Sequence, residues 1–474
     1  MTKEYQLYMN GEWTSSSETV DVYDKYSKDV HATISKAGEE EVERAITSAY
    51  EAFHNTDFPP YERYKVLHRV SELLQEKKEE LAQIITAEAG KPIKQARTEI
   101  DRATQTFELS AEEAKRITGE GVPVEAAPGS ENRLAFTIRV PVGVVGAISP
   151  FNFPVNLVAH KIAPAIAAGN SVVLKPASRT PVSSLKLAEL FHEAGLPKGF
   201  LNVVVGSGSV VGNQMMQDER VNLYTFTGSA EVGLKLKQNT GLNKLVLELG
   251  NNSPVIIDKY ADVKKAAETT AQKAFAYAGQ VCISVQRMYV HEEVMNEFKE
   301  HFIEATKSLV VGNPYDDKTD VGPMISEEEA KRAEEWISEA KEAGATIVHG
   351  GTRNGAQFEP TILTDVDQSM KVVCEEIFAP VVTMMTFNDL DRVIDEVNQS
   401  NYGLQGGIFT KDLNRAYKAA RKVEVGGFMI NDASQYRVDL MPYGGVKNSG
   451  WGKEGPKYSI EEMTEERLVV MNLE

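Results

Sequence analysis

A chain of 474 residues suggests two to three domains by the rule of about 150 residues each, and 42% hydrophobic residues are enough for large cores. No segment approaches about 18 uninterrupted apolar residues, and the opening MTKEYQLYMNGEW lacks the apolar core of a secretory leader, so neither a membrane span nor secretion is expected. A net charge of −18 argues against binding nucleic acid through its phosphates, and two cysteines, with no CxxC or Cys/His cluster, exclude a disulfide framework and a zinc site, which fits a reducing cytoplasm.

The first 110 residues or so read as a short β start followed by helices. Val42, Ala45, Ile46, Ala49 and Phe53 recur at helical spacing, as do Val66, Leu67, Val70, Leu73, Leu74, Leu81, Ile84 and Ile85. Gly90 and Pro92 then form a stop signal. Residues 120–140 read as extended, with Val122-Pro123-Val124 and Leu134–Val140 separated by a turn at Pro128-Gly129-Ser130. From residue 142 short apolar runs alternate with helices. VGVVGAI (142–148), SVVLKP (171–176), LNVVVG (201–206) and NLYTFTG (222–228) read as strands, with helices over 155–169 and 183–195. A second alternating region runs from about 250 to 450, with strands at 345–350 and 406–410 and a helix over 327–344. Alternation of this kind predicts an α/β fold with parallel sheets covered by helices.

Four stretches carry chemistry. FTGSAEVG (226–233) leaves a strand and opens a helix, whose free N–H groups suit a pyrophosphate; Ser229 is either its cap or a phosphate contact, and GxGxxG is absent. ISPFNFP (148–154) lies at a strand's carboxyl end, where open α/β sheets bind ligands, and offers the Asn152 amide. LELGNNSP (247–254) sets Glu248 between leucines, a desolvating context that raises a carboxyl pKa and suits a general base. GQVC (279–282) holds one of the two cysteines; a lone cysteine is by itself more often a small buried hydrophobe.

In order, ISPFNFP, KPAS (175–178), FTGSAEVG, LELGNNSP, GQVC, EEIFAP (375–380) and PYGGVKNSG resemble the aldehyde dehydrogenase superfamily over essentially the whole chain. The details are most similar to the lactaldehyde, non-phosphorylating glyceraldehyde-3-phosphate and sulfolactaldehyde branch. The resemblance implies a Rossmann-like cofactor domain over 1–119 and 141–247, a second α/β catalytic domain over 248–455, and a β oligomerisation arm from 120–140 and 456–474 that makes homodimers or homotetramers. It implies NAD or NADP as cofactor and Cys282 as the nucleophile, forming a thiohemiacetal whose oxyanion is held by the Asn152 amide and the Cys282 N–H. Hydride transfer leaves a thioester, which Glu248 hydrolyses through water. Lys175 maps to the adenosine ribose, Ser229 to the pyrophosphate, Glu376 to the nicotinamide ribose and Phe378 to the ring. Ser149, Pro150, Ser178, Arg179, Gly228, Gly233 and Leu249 complete the implied cofactor contacts, and Asn152 with Phe153 the substrate contacts. Cys374 matches no motif position.

Three positions depart from the family pattern: Asn251 and Ala379, where Gly is common, and Ser178, where NAD-preferring members often carry Glu. With Ser178 beside Arg179, acceptance of NADP is expected. An acylating relative that passes the thioester to coenzyme A is disfavoured by Glu248. A silent scaffold is disfavoured by the joint presence of Cys282, Asn152 and Glu248, and a cysteine hydrolase would need a His beside Cys282. In the loop 431–445, Arg437 suits an anionic tail on a short hydroxyaldehyde, of the sulfolactaldehyde or glyceraldehyde 3-phosphate type. The competing role is an ion pair with Asp432 or Asp439 that pins the loop and leaves a neutral aldehyde such as lactaldehyde as substrate.

Overall fold

The computed structural model describes residues 3–473. The strand Val144–Ile148 lies inside an eight-stranded sheet, flanked in parallel by Ser171–Lys175 and Val221–Thr227. Parallel Leu201–Val203 and Lys244–Glu248 extend it on the two sides. Near-continuous Val, Ile and Leu in these strands matches burial on both faces. The helix Asn156–Ala168 is buried along its whole length and stops at Gly169, whose φ of 93° is a left-handed cap that glycine adopts without strain. The chain leaves Val144–Ile148 towards one neighbour and returns on the other side, so a crevice opens beyond the carboxyl ends of these strands. The register puts Ile148 opposite both Lys175 and Phe226, and Thr227 opposite Glu248, which brings four of the motifs to one rim.

A second sheet of seven strands runs in the order Thr346–His349, Thr361–Thr364, Val381–Phe387, Arg287–His291, Pro254–Ile257, Gln405–Phe409, Gly427–Ile430. It is parallel except for the antiparallel edge strand Thr346–His349. Val255 and Ile257 enter one apolar cluster and Ile256 another, as alternate residues of a strand covered on both faces must. The third sheet is antiparallel: Thr464–Asn472 pairs with Arg133–Pro141 over nine residue pairs, and Gly121–Val122 adds a short edge. Among the described residues no helix is long and apolar enough to cross a membrane.

The structure departs from the sequence reading in three places. The β start reaches Lys36, because Glu18–Tyr23 and Val30–Lys36 alternate polar and apolar residues and pair as a hairpin. Val124 is not extended: it begins a single helical turn, Val124–Ala126, directly after Pro123. Gly450–Trp451 hydrogen-bonds to Lys244–Glu248 in the first sheet, and the helix Pro456–Glu462 packs on Asn156–Ala168, so the chain beyond residue 449 returns to the first unit before entering the arm.

Asn170 fastens these layers. Its buried amide accepts from the Gly143 N–H at 3.0 Å and donates to the carbonyls of Ala165 at 3.2 Å and Met463 at 2.9 Å. Asn170→Ala would strand the buried Gly143 N–H, at about 1–3 kcal/mol, and remove one of the donors to each of the Ala165 and Met463 carbonyls, which keep backbone partners, so a lowered denaturation midpoint in urea or guanidinium is expected.

Candidate active site

Cys282 is delivered by an unusual turn. After the helix Val263–Phe275, Tyr277, Ala278 and Gly279 take φ values of 48°, 52° and 69°. Left-handed backbone is unfavourable for residues with a Cβ and persists only where the surroundings impose it. Here the Tyr277 hydroxyl donates to the Ala89 carbonyl at 2.8 Å. A Cβ on Gly279 would lie 2.1 Å from the Ala379 carbonyl oxygen, so only glycine fits. Gln280 accepts from the Ile325 N–H at 2.9 Å, and Ser434 donates to the Ile283 carbonyl at 2.9 Å. Cys282 itself is half-buried and packs against the core of the first unit. Asn152 reaches the same loop, its amide donating to the Gln280 carbonyl at 2.9 Å. The Asn152 segment is fixed from behind by buried Glu99, which accepts from the N–H groups of Val155 and Asn156 and pairs with Lys91.

Cys282 and Asn152 face a cavity of about 690 Å³ at the crevice of the first sheet. Ser149, Pro150, Lys175, Gly228, Ser229, Leu249, Glu376 and Phe378 all line it. Ser229 also caps the helix Ala230–Asn239, accepting from the Val232 N–H. The Phe378 ring meets Phe151 edge-on at 5.9 Å. Six expected residues lie elsewhere. Gly233 packs behind the wall, where a Cβ would strike the Leu249 side chain. The Ser178 hydroxyl is bonded to the Gly206 carbonyl at 2.9 Å, and Arg179 is turned away to Ser326 at 3.1 Å. Phe153 is covered by the Lys91 amine, 3.7 Å from its ring centre. Arg437 bonds to Glu454 at 3.2 Å and stacks on Tyr443 at 3.6 Å, whereas Asp432 pairs with Lys273, and Asp439 with Arg102 and His160. Glu248 points towards Gly444, not into the cavity.

Sequence reasoning missed part of the wall. Gly208, Ser209, Gly212 and Asn213 line the cavity from a wide helical turn and its cap, Lys235 from the helix Ala230–Asn239, and Glu329 and Arg332 from the helix Glu327–Glu342. The signal was present in GSGSVVG (206–212), a glycine-rich stretch directly after a strand. The departures from the family pattern are accommodated. Ala379 is not among the residues with positive φ, so its Cβ is unstrained. The Asn251 side chain donates to Ser253 at 2.6 Å, and the Leu404 N–H donates to it at 3.3 Å.

Burial sets the electrostatics. The Cys282 thiol is pushed up to about 11, chiefly by desolvation, against which a hydrogen bond from Tyr443 and the charge of Arg437 act. Glu248 is buried with neither carboxyl oxygen hydrogen-bonded among the described residues, so desolvation and then the charge of Glu454 drive its pKa well above the usual carboxylate range, as its apolar strand predicts. Burial lowers Lys175 to about 8 and raises Glu376 to about 7, the latter opposed by the Asn251 N–H.

A dinucleotide fits this cavity. Its size is right for an extended ligand, and its rim carries the buried hydroxyls of Ser149 and Thr227, neither with a protein partner among the described residues. A helix N-terminus, the Lys175 amine and the Glu376 carboxyl complete the polar set. The aldehyde dehydrogenase family model matches residues 13–469. The chain is 57% identical over 471 residues to the 3-sulfolactaldehyde dehydrogenase of Priestia aryabhattai, covering 99% of this chain and 98% of that one. It is 43% identical over 472 residues to the lactaldehyde dehydrogenase of Methanocaldococcus jannaschii, covering 98% and 100%. The glyceraldehyde-3-phosphate dehydrogenase of the same organism, solved with NADP, superposes with a TM-score of 0.93 at 43% identity, covering 96% and 100%. From the cavity at its sheet crevice to the sequence match across nearly its full length, this chain belongs to the aldehyde dehydrogenase family and is an NAD(P)-dependent oxidoreductase that acts on aldehydes.

Proposed function

We propose that the enzyme oxidises a short hydroxyaldehyde with an anionic group, of the sulfolactaldehyde type, to its carboxylate. The observation that carries the chemistry is the half-buried Cys282 thiol opening on the cavity beside Asn152. In this reading the Cys282 thiolate attacks the aldehyde carbon, and the Asn152 amide and the Cys282 N–H hold the resulting oxyanion, each donor contributing about 3–4 kcal/mol to the barrier. NAD(P), held by Lys175, Ser229, Glu376 and the Phe378 wall, supplies the hydride acceptor. Glu248 rotates from its Gly444 side towards Cys282 and takes a proton from the water that hydrolyses the thioester. Its raised pKa makes it a stronger base once ionised and leaves it protonated until the pH rises, so deacylation gains with increasing pH.

The anionic substrate is supported by the 57% identity to a protein named 3-sulfolactaldehyde dehydrogenase and by the buried Nε of Arg437, which has no hydrogen-bond partner among the described residues. A neutral lactaldehyde is the second reading, favoured by the Arg437–Glu454 pair that occupies the guanidinium. Acceptance of both NAD and NADP rests on the absence of a carboxylate at Ser178; Lys235 on the cavity wall, in place of Arg179, is a cation available to a 2′-phosphate. The exposed Leu134, Ile138, Leu468 and Val470 on the third sheet support a homo-oligomer. The scarcity of cysteine supports a cytoplasmic enzyme.

Cys282→Ala should abolish aldehyde-dependent NAD(P)H formation while cofactor still binds by fluorescence titration, and wild-type turnover in that variant would remove Cys282 as nucleophile. Glu248→Gln should accumulate acyl-enzyme, visible by intact-protein mass spectrometry, with turnover down about a hundredfold or more; unchanged turnover would assign the base elsewhere. Steady-state kinetics of Arg437→Ala should show KM rising far more for sulfolactaldehyde than for lactaldehyde. Equal losses would leave the neutral aldehyde as substrate.

A further inference from the structure

One buried side chain touches the reacting sulfur and has no part in the scheme above. The Tyr443 hydroxyl lies 3.0 Å from Cys282 Sγ. Tyr443 is 2% exposed, and among the described residues its hydroxyl has no other hydrogen-bonding partner. Its backbone is pinned by reciprocal bonds with Glu454, which bring residues 443 and 454 together as an antiparallel bridge. The Arg437 guanidinium lies 3.6 Å from the ring centre, held there by Glu454. Glu454 is itself anchored by Lys161 at 3.0 Å.

We propose that Tyr443 is a catalytic residue that stabilises the Cys282 thiolate by donating its hydroxyl hydrogen to Sγ, with Arg437 on its ring as the charge that strengthens the donation. The proposal rests on Cys282 being the nucleophile. A thiolate has no hydrogen to give, so in the ionised state the phenol must be the donor of this bond. Ionisation of the phenol itself is opposed: burial, then the adjacent Cys282, pushes its pKa well above the usual value, so Tyr443 stays a donor. A cation over the π-face draws electron density from the ring and makes the O–H a better donor. The other charged groups facing the sulfur do not supply this help. Glu376 and Glu248 are carboxyls, and each disfavours the thiolate when ionised. None of the eight histidines is among the main influences on Cys282, and His160 is engaged with Asp439. The cavity-facing amide of Asn152 is bonded to the Gln280 carbonyl and not to the sulfur.

The test is the pH profile of Cys282 alkylation by iodoacetamide in the full-length enzyme without cofactor or substrate, with the modified residue identified by peptide mass spectrometry. Tyr443→Phe keeps the ring and removes only the hydroxyl. The alkylation midpoint should move alkaline by about one pH unit, a roughly tenfold lower rate on the rising limb. Arg437→Gln should also move it alkaline, in part because its charge acts on the sulfur directly, so if Tyr443→Phe does not fold, Tyr443→Leu, which likewise lacks the hydroxyl, decides the matter. A midpoint unchanged in the folded variants, with Cys282 still the residue alkylated, would overturn the role of Tyr443 alone. Alkylation confined to Cys374 in the wild type would instead overturn the nucleophile assignment on which the role depends.

Discussion

The left-handed turn at Tyr277, Ala278 and Gly279 is the constraint on which the site depends. Two residues with a Cβ hold a conformation that costs about 1–2 kcal/mol each. They keep it because both units constrain the turn: the Ala89 carbonyl of the first accepts from the Tyr277 hydroxyl, and the Ala379 carbonyl of the second lies so close to Gly279 that no Cβ fits there. The turn carries the chain out of the second unit's helix and lays Val281, Cys282 and Ile283 on the first unit's core. The thiol is thereby fixed at the crevice wall although the strand that follows, Arg287–His291, belongs to the other sheet.

Behind the thiol lies a web of buried charge, arranged so that one carboxyl is left out. Glu454 takes Lys161 and Arg437, and their attraction outweighs burial and holds it ionised. Asp439 takes Arg102 and His160, which likewise overcome its burial. Glu248 shares this region with no hydrogen-bond partner among the described residues, so burial and then the charge of Glu454 drive its pKa well above the usual carboxylate range. Two nearby carboxyls driven in opposite directions are the pattern by which a site holds an ionised anchor and a base of raised pKa together. The same pairs tie down the loop that carries Arg437, Asp439 and Tyr443, so the geometry around the sulfur is a by-product of satisfying buried charges.

The amino-acid sequence by itself determined the alternating strands and helices, the strand-end motifs and the desolvated setting of Glu248. Each is local: apolar runs of strand length, glycines where a strand turns into a helix, a carboxylate between two leucines. Order along the chain also sufficed to bring ISPFNFP, KPAS, FTGSAEVG and LELGNNSP to one rim, because parallel strands present their carboxyl ends together. What the tertiary structure alone decided is which side chains meet across large sequence separations. Arg437 could have paired with Asp432 or Asp439, close by in the chain, yet each of those found a distant cation, and Arg437 found Glu454. Arg179 follows Ser178 in the chain but faces Ser326. Tyr443 stands 161 residues from Cys282, inside PYGGVKNSG. Periodicity and turn chemistry report on neighbours within a few residues, whereas the partner of a buried charge or hydroxyl is chosen by the packing of whole units, and that choice has no local signature.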